Sequence, residues 1–274
     1  MVLDVELLYR QHLTDTDRRV LASFGSGAPL ASLLSRPDVE AAVFGSDGEP
    51  GRTDGLAMVS PFLLFAVAIH RTVQRLETTT FVEERWAPRQ RVPLFDVASL
   101  RRLVADPLRR YFLVELLASY TRVASGATWT RTGRGWRRRR YSELDPARMA
   151  ELLEVVPEEQ RPGVYRRLGD LALFLTGVFP DRAALPPGAG GERLLRLSGV
   201  PADAEVRDTA LFELLGARWY GKAVAMASAA GVPATGTLAV TAEIGRHFGD
   251  ARRVLNAVTD RYLFPFRERW FGPS

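Results

Sequence analysis

An arginine-rich stretch between residues 126 and 142 carries the strongest chemical signal in the sequence. Six arginines fall within ten positions, with aromatic residues among and beside them. They are Arg131, Arg134, Arg137, Arg138, Arg139 and Arg140, and the aromatic residues are Trp129, Trp136 and Tyr141. Guanidinium groups bind phosphates, and aromatic rings stack on exposed bases. We therefore predict that the six arginines and Trp136 bind nucleic acid or another anionic partner, such as an acidic protein surface.

The positive charge of the chain is concentrated around this stretch. The net charge is +5, but residues 101–150 alone carry +8, so the remainder carries −3. A local excess indicates an anionic partner better than a uniform one does. However, 36 of the 37 basic residues are arginine, which is typical of a high-GC bacterial genome. A solvated surface hairpin enriched in arginine by codon usage is therefore the alternative interpretation.

A second group of residues has the chemistry of a metal site. Glu243 and His247 are four positions apart, so they share one face of a helix and can reach one ion together. Glu115 and Asp170 lie within apolar helical segments and are candidates for additional inward carboxylates. This pattern predicts a helical-bundle metal-dependent enzyme or ligand-binding protein. The alternative is that these residues form ordinary helical pairs, because the Glu-x-x-His spacing of di-iron bundles is absent.

The C-terminal segment is rich in aromatic residues interleaved with arginine. It contains Phe264, Phe266, Trp270 and Phe271. Aromatic side chains and arginine are enriched at protein interfaces, so this segment favours docking to a partner protein or to a second copy of the chain. The alternative is a tail that packs on the body of the protein.

The sequence lacks the residues that several classes of protein function require. The chain has no cysteine, which excludes thiolate metal sites, iron–sulfur clusters and a cysteine nucleophile. It also lacks a phosphate-binding Gly-x-x-x-x-Gly-Lys-Ser/Thr motif and a Gly-x-Ser-x-Gly elbow, so no cofactor is indicated. The first residues lack a basic region followed by an apolar run, and no apolar run approaches the roughly 20 residues of a membrane span. We expect a cytoplasmic protein without membrane contact.

The elements that position these residues are predicted to be mainly helices. Several segments begin with a capping residue followed by proline, a common helix start. The predicted helices are 4–12, 17–23, 29–44, 61–77, 97–105, 107–123, 147–156, 164–176, 208–230, 238–248 and 251–263, and residues 78–86 favour a short strand. The expected fold is mainly α: a multi-helix bundle with one small β-hairpin around residues 128–141. We interpret 1–274 as a single helical domain, with the basic hairpin inserted at 126–142 and a Pro/Gly-rich loop or linker at 179–208.

Overall fold

The computed structural model describes most of the chain. It covers residues 4–45, 59–87, 90–122, 125–132, 135–183, 185, 188–200, 208–264 and 271. Within these ranges no helix combines the length and apolar character needed to cross a bilayer. The contacts divide the chain into two compact units: an N-terminal unit formed by Met1–Thr121 with Arg253–Ser274, and a central unit formed by Arg122–Arg252.

The N-terminal unit contains seven helices and one antiparallel hairpin within its described residues, before the chain enters the central unit. The helices are α1 (Val5–His12), α2 (Asp15–Ala22), α3 (Leu30–Leu34), α4 (Pro37–Phe44), α5 (Pro61–Thr78), α6 (Val97–Ala105) and α7 (Pro107–Ser119), and the strands are β1 (Val82–Ala87) and β2 (Gln90–Leu94). Helix α5 forms the core, because its residues from Phe62 to His70 are all buried. It lies against α3, α4, α6 and α7.

Side chains at helix starts explain where these helices begin. Ser60 accepts a hydrogen bond from the Leu63 amide at the start of α5, and Asp96 and Asp106 do the same at α6 and α7. Such caps satisfy amide groups that have no partner within the helix. In α5 and α7 a proline follows the cap directly, as the sequence predicts.

The C-terminal segment joins the N-terminal unit through a partly buried ionic network. Glu40 on α4 receives Arg71 Nε at 2.7 Å, Arg75 Nη2 at 2.7 Å and the Tyr262 hydroxyl at 2.8 Å. Burial alone would raise the pKa of Glu40, but the hydrogen bonds from Arg71 and Tyr262 outweigh it and hold the pKa below its usual value. Nearby, Arg253 Nε lies 3.2 Å from the Glu84 carboxylate of β1.

The central unit is a hairpin followed by six helices within its described residues. They are β3 (Ser125–Thr132), β4 (Gly135–Ser142), α8 (Pro146–Glu151), α9 (Arg161–Val178), α10 (Ala189–Ser198), α11 (Asp208–Ala229), α12 (Gly236–Arg246) and α13 (Phe248–Val258). Helix α13 continues into the N-terminal unit from Arg253, and a π-helical turn at Thr259–Leu263 follows it. Helices α9 and α11 form the main contact, and glycines bring them close together. A Cβ on Gly169 would lie 2.6 Å from the Tyr220 ring.

The mainly α fold is confirmed, with three differences in detail. A second hairpin, β1–β2, accompanies the predicted one, because the strand expected near residues 78–86 finds a partner in Gln90–Leu94. The single helix expected over 29–44 is two helices, α3 and α4, since Pro37 starts a new helix after an extended Arg36. The segment 179–208 lies wholly within the central unit and contains helix α10, so it does not separate the two units.

Candidate anion-binding surface

The basic hairpin has a defined backbone register. Strands β3 and β4 pair antiparallel from Ser125↔Ser142 to Thr132↔Gly135. Threonine and tryptophan favour strands, and a glycine next to the turn is typical of a tight hairpin. Of the predicted binding residues, Arg134 lies outside the described residues.

The register groups tryptophan and arginine positions on one face of this ribbon. Trp129 is paired with Arg138, and Arg131 is paired with Trp136. Residues that oppose each other across an antiparallel pair share a face, and successive residues alternate between faces. These two cross-strand pairs therefore occupy neighbouring positions of one face, together with Arg140, whereas Arg137 and Arg139 occupy positions of the other face. We name residues 129, 131, 136, 138 and 140 the Trp/Arg face.

The hairpin supplies the positive charge of the central unit. Residues 125–142 contain six arginines and no acidic residue, while the rest of residues 122–252 has a net charge of −2. The first acidic residue after the hairpin, Glu143, lies 3.2 Å from Arg167 Nη2 on α9. The next, Asp145, accepts hydrogen bonds from the amides of Ala147 and Arg148 and thereby begins α8.

Helix α8 links the hairpin to the helices of the central unit. It contacts β4 as well as α9 and α10, and its residues Met149 and Ala150 are buried. A two-stranded ribbon is only marginally stable in isolation, and α8 is a helix whose backbone approaches its second strand.

A basic cleft lies between α8, α9 and α10. It has a volume of about 490 Å³, and its polar lining is Glu154, Arg161, Tyr165, Arg193 and Arg196. Arg193 pairs with Glu154 at 2.9 Å and with Glu151 at 3.5 Å. Arg161 differs, because its Nε is buried and has no hydrogen-bond partner. The cleft therefore contains more cationic than anionic groups.

Tyr165 gives this cleft an aromatic wall. Burial raises the pKa of Tyr165, and the charge of Arg161 opposes that rise. The Nζ of Lys222 lies 5.5 Å from the centre of the Tyr165 ring and donates to the Leu197 carbonyl. Arg161 and Tyr165 thus line the cleft, and Lys222 lies near the Tyr165 ring. This combination of cations and an aromatic ring suits an anion with a flat or apolar part.

The metal candidates have separate interactions in the described part of the chain. His247 Nε2 lies 3.9 Å from Glu243 and Nδ1 lies 3.7 Å from Asp250, so each carboxylate lies near a different nitrogen of the ring. Asp170 accepts a hydrogen bond from the buried Tyr220 hydroxyl at 2.8 Å. Glu115 lies on α7 in the N-terminal unit. Within the described ranges no three histidine or acidic side chains are grouped to hold a metal.

The predicted docking residues have different environments. Phe264 is 51% exposed, whereas Phe271 is buried and stacks on Phe65 with ring centres 5.7 Å apart. Phe266 and Trp270 lie outside the described residues. Of the described docking candidates, Phe264 is therefore the one available to a partner, and its docking role stays a prediction.

Sequence reasoning missed the basic cleft. Arg161 and Arg193 are 32 positions apart, so no local pattern joins them, and only the packing of α9 and α10 against α8 brings them to one site. The pair Arg193 and Arg196, three positions apart on α10, was the one signal available, since residues at that spacing share a helix face.

Comparisons with protein-family models, with curated proteins and with solved structures find no match for this chain. Its function must therefore be inferred from its own residues.

Proposed function

We propose that the central unit binds single-stranded nucleic acid through the Trp/Arg face of its hairpin, without catalysing a reaction. The observation that supports this is the cross-strand register, in which Trp129 is paired with Arg138 and Arg131 with Trp136. An alternation of rings and guanidinium groups matches a single strand, whose bases stack on rings while its phosphates bind cations.

Single strands fit this pattern better than duplexes do. In a duplex the bases are stacked on one another, so tryptophan has no base to stack on unless it forces two base pairs apart. Bases of a single strand are available, and stacking on an aromatic side chain contributes about 1–3 kcal/mol per base. The arginines Arg137 and Arg139, on the other face, add attraction for the backbone at longer range.

The basic cleft supports the same proposal by extending cationic surface beyond the hairpin. Arg161 and Arg196 belong to the same unit, and α8 contacts β4 while contributing Ala150 to the cleft lining. A strand that leaves the hairpin along α8 would meet these arginines and Tyr165.

An acidic protein surface is the competing partner for the arginines. Such a partner would use the charges of Arg137–Arg140 but would gain little from two tryptophans on one face. Substitution of tryptophan therefore separates the two possibilities.

The first test replaces the charges. The variant R137A/R138A/R139A/R140A lowers the net charge from +5 to +1. We expect binding of a fluorescein-labelled 20-nucleotide single strand, measured by anisotropy at about 50 mM salt, to weaken by about 100-fold, because up to four phosphate contacts are lost.

The matched control removes four exposed arginines of the N-terminal unit, Arg10, Arg18, Arg19 and Arg102. This variant has the same net charge, so equal losses in both variants would mean that only overall charge matters and would contradict the proposal. Thermal midpoints of both variants within a few degrees of the unaltered protein verify that folding is retained.

The second test replaces the rings. In W129L/W136L we expect single-strand affinity to fall by about tenfold or more, because stacking on two bases is lost. Binding of a polyglutamate peptide should change little. Unchanged oligonucleotide affinity in this variant, or tighter binding of polyglutamate than of the oligonucleotide by the unaltered protein, would assign the hairpin to an acidic protein surface instead.

A further inference from the structure

A small cavity in the N-terminal unit contains polar groups that the proposed function does not use. Helices α1, α3, α5 and α7 enclose about 110 Å³ between them. The walls are mostly apolar, with Leu30 and Leu34 from α3 and Val5 from α1. Tyr9, His70, Arg110 and Glu6 are the polar side chains of the lining.

Tyr9 and His70 form a buried hydrogen-bonded pair in this lining. The Tyr9 hydroxyl lies 3.3 Å from His70 Nε2, and each residue is 4% exposed. Burial, reinforced by the charge of Arg110, lowers the pKa of His70 to about 3, while the hydrogen bond to the Ala31 backbone opposes that change. Burial likewise raises the pKa of Tyr9 well above its usual value. Both side chains are therefore neutral near pH 7, and neither balances a charge.

Arg110 brings a positive charge that nothing in the described part of the chain neutralises. Its Nε is buried without a hydrogen-bond partner, and it forms no ion pair with a residue of the described ranges. The other charged residue of the lining, Glu6, is engaged by Arg10, whose Nη2 lies 2.6 Å from its carboxylate. The guanidinium is half-buried, so an anion in the cavity would gain a favourable charge interaction with it.

We propose that this cavity binds a short-chain monocarboxylate, with the carboxylate on Arg110 and the alkyl chain against Leu30 and Leu34. Arginine binds carboxylates in a fork geometry, and the apolar wall suits a hydrocarbon chain. The volume is somewhat smaller than the ~150 Å³ cavity that holds benzene, which has six non-hydrogen atoms. Propionate, with five such atoms, is the ligand class that fits both the size and the charge.

The preference for an anion over a cation follows from the four polar residues of the lining. A cation would meet the positive charge of Arg110, while Glu6 is occupied by Arg10. The neutral Tyr9–His70 pair offers no negative charge. The inference concerns the N-terminal unit alone, so it is independent of the nucleic-acid proposal for the central unit.

The test is a titration of the full chain with sodium propionate at constant ionic strength, followed by amide chemical shifts. We expect saturable shifts of residues in α1, α3 and α7 with a millimolar dissociation constant, and at least about tenfold weaker binding of propionamide, which has the same shape without the charge. Absence of saturable binding, or equal binding of propionamide, would overturn the proposal.

Three variants locate the ligand. R110Q should weaken propionate binding by about tenfold or more, because the charged partner is lost, whereas R102Q, on exposed α6 surface, should leave it unchanged. The third variant, A31M, keeps Arg110 and places a long side chain at the exposed mouth of the cavity, so it should also weaken binding. If R110Q does not fold, A31M decides alone. Affinity unchanged in A31M or in a folded R110Q would place the ligand elsewhere and overturn the proposal.

Discussion

At the scale of single residues, His70 shows how a buried polar side chain is held by specific partners. His70 lies among the apolar residues of α5 and is hydrogen-bonded to Tyr9 and to the Ala31 backbone. Nothing in the sequence near residue 70 points to Tyr9, 61 positions away. Such a pairing depends on how α1 crosses α5, which residue types alone do not determine.

His70 makes stability depend on pH. Its pKa is lower in the folded chain than in the unfolded one, so the unfolded chain binds the proton more readily, and stability is lost as the pH falls from about 6.5 toward 3. We expect the free energy of unfolding, measured with urea, to fall between pH 7 and pH 4 by about 2–3 kcal/mol more in the unaltered protein than in H70Q. Tyr9 and Arg110 face the ring from α1 and α7, and burial raises the pKa of Tyr9 further above this range.

The control for this measurement is H247Q, since the His247 side chain is half exposed. It removes an imidazole from the surface rather than from the core. An equal pH dependence in H70Q and the unaltered protein would mean that His70 is not held neutral by burial.

At the scale of elements, the helix starts were predictable and the close contacts between helices were not. Ser60, Asp96, Asp106 and Asp145 all cap helices where the sequence placed them, because a capping side chain acts on amides two or three residues away. The partner strand Gln90–Leu94 was missed because it is short and contains Pro93, which is unusual within strands. The approach of α9 to α11 depends on glycines whose role appears only once both helices are in place.

Substitution of Gly216 on α11 tests whether the close contacts of this helix require glycine. An added Cβ would lie 2.4 Å from the Phe248 ring and 2.9 Å from Ala172 Cβ. We therefore expect G216A to lower the free energy of unfolding by about 1–3 kcal/mol, although alanine favours helix by about 1 kcal/mol relative to glycine.

Gly221 on the same helix provides the matched control, because an added Cβ there meets nothing within 4 Å. G221A should stabilise the protein by up to about 1 kcal/mol in the same urea-unfolding measurement. Destabilisation by both substitutions, or by neither, would show that steric contact of residue 216 with α9 and α13 is not the determining factor.

At the scale of the whole molecule, the contacts divide the chain at places that the sequence pattern did not indicate. The Pro/Gly-rich segment looked like the boundary, yet the contacts place the divisions near residues 121 and 252, the second within the continuous helix α13. A division between units that falls inside a helix does not change the local amino-acid composition, so the sequence pattern could not indicate it. The hairpin, in contrast, was predictable in place and charge, because its strands, turn and arginines are all local in sequence. The strand register of the hairpin, which defines the Trp/Arg face, could be assigned only from the backbone structure.

The central claim is that a localised set of guanidinium groups binds the phosphates of a single strand, and the salt dependence of binding measures this most directly. The logarithm of the association constant for the labelled 20-nucleotide strand, plotted against the logarithm of salt concentration, should have a slope of about −2 to −4 for the unaltered protein. R137A/R138A/R139A/R140A should make the slope less negative by up to about 3, because each phosphate contact to a single strand contributes about 0.7, whereas R10A/R18A/R19A/R102A should preserve it. A slope that is near zero in the unaltered protein, or that changes equally in both variants, would contradict the account.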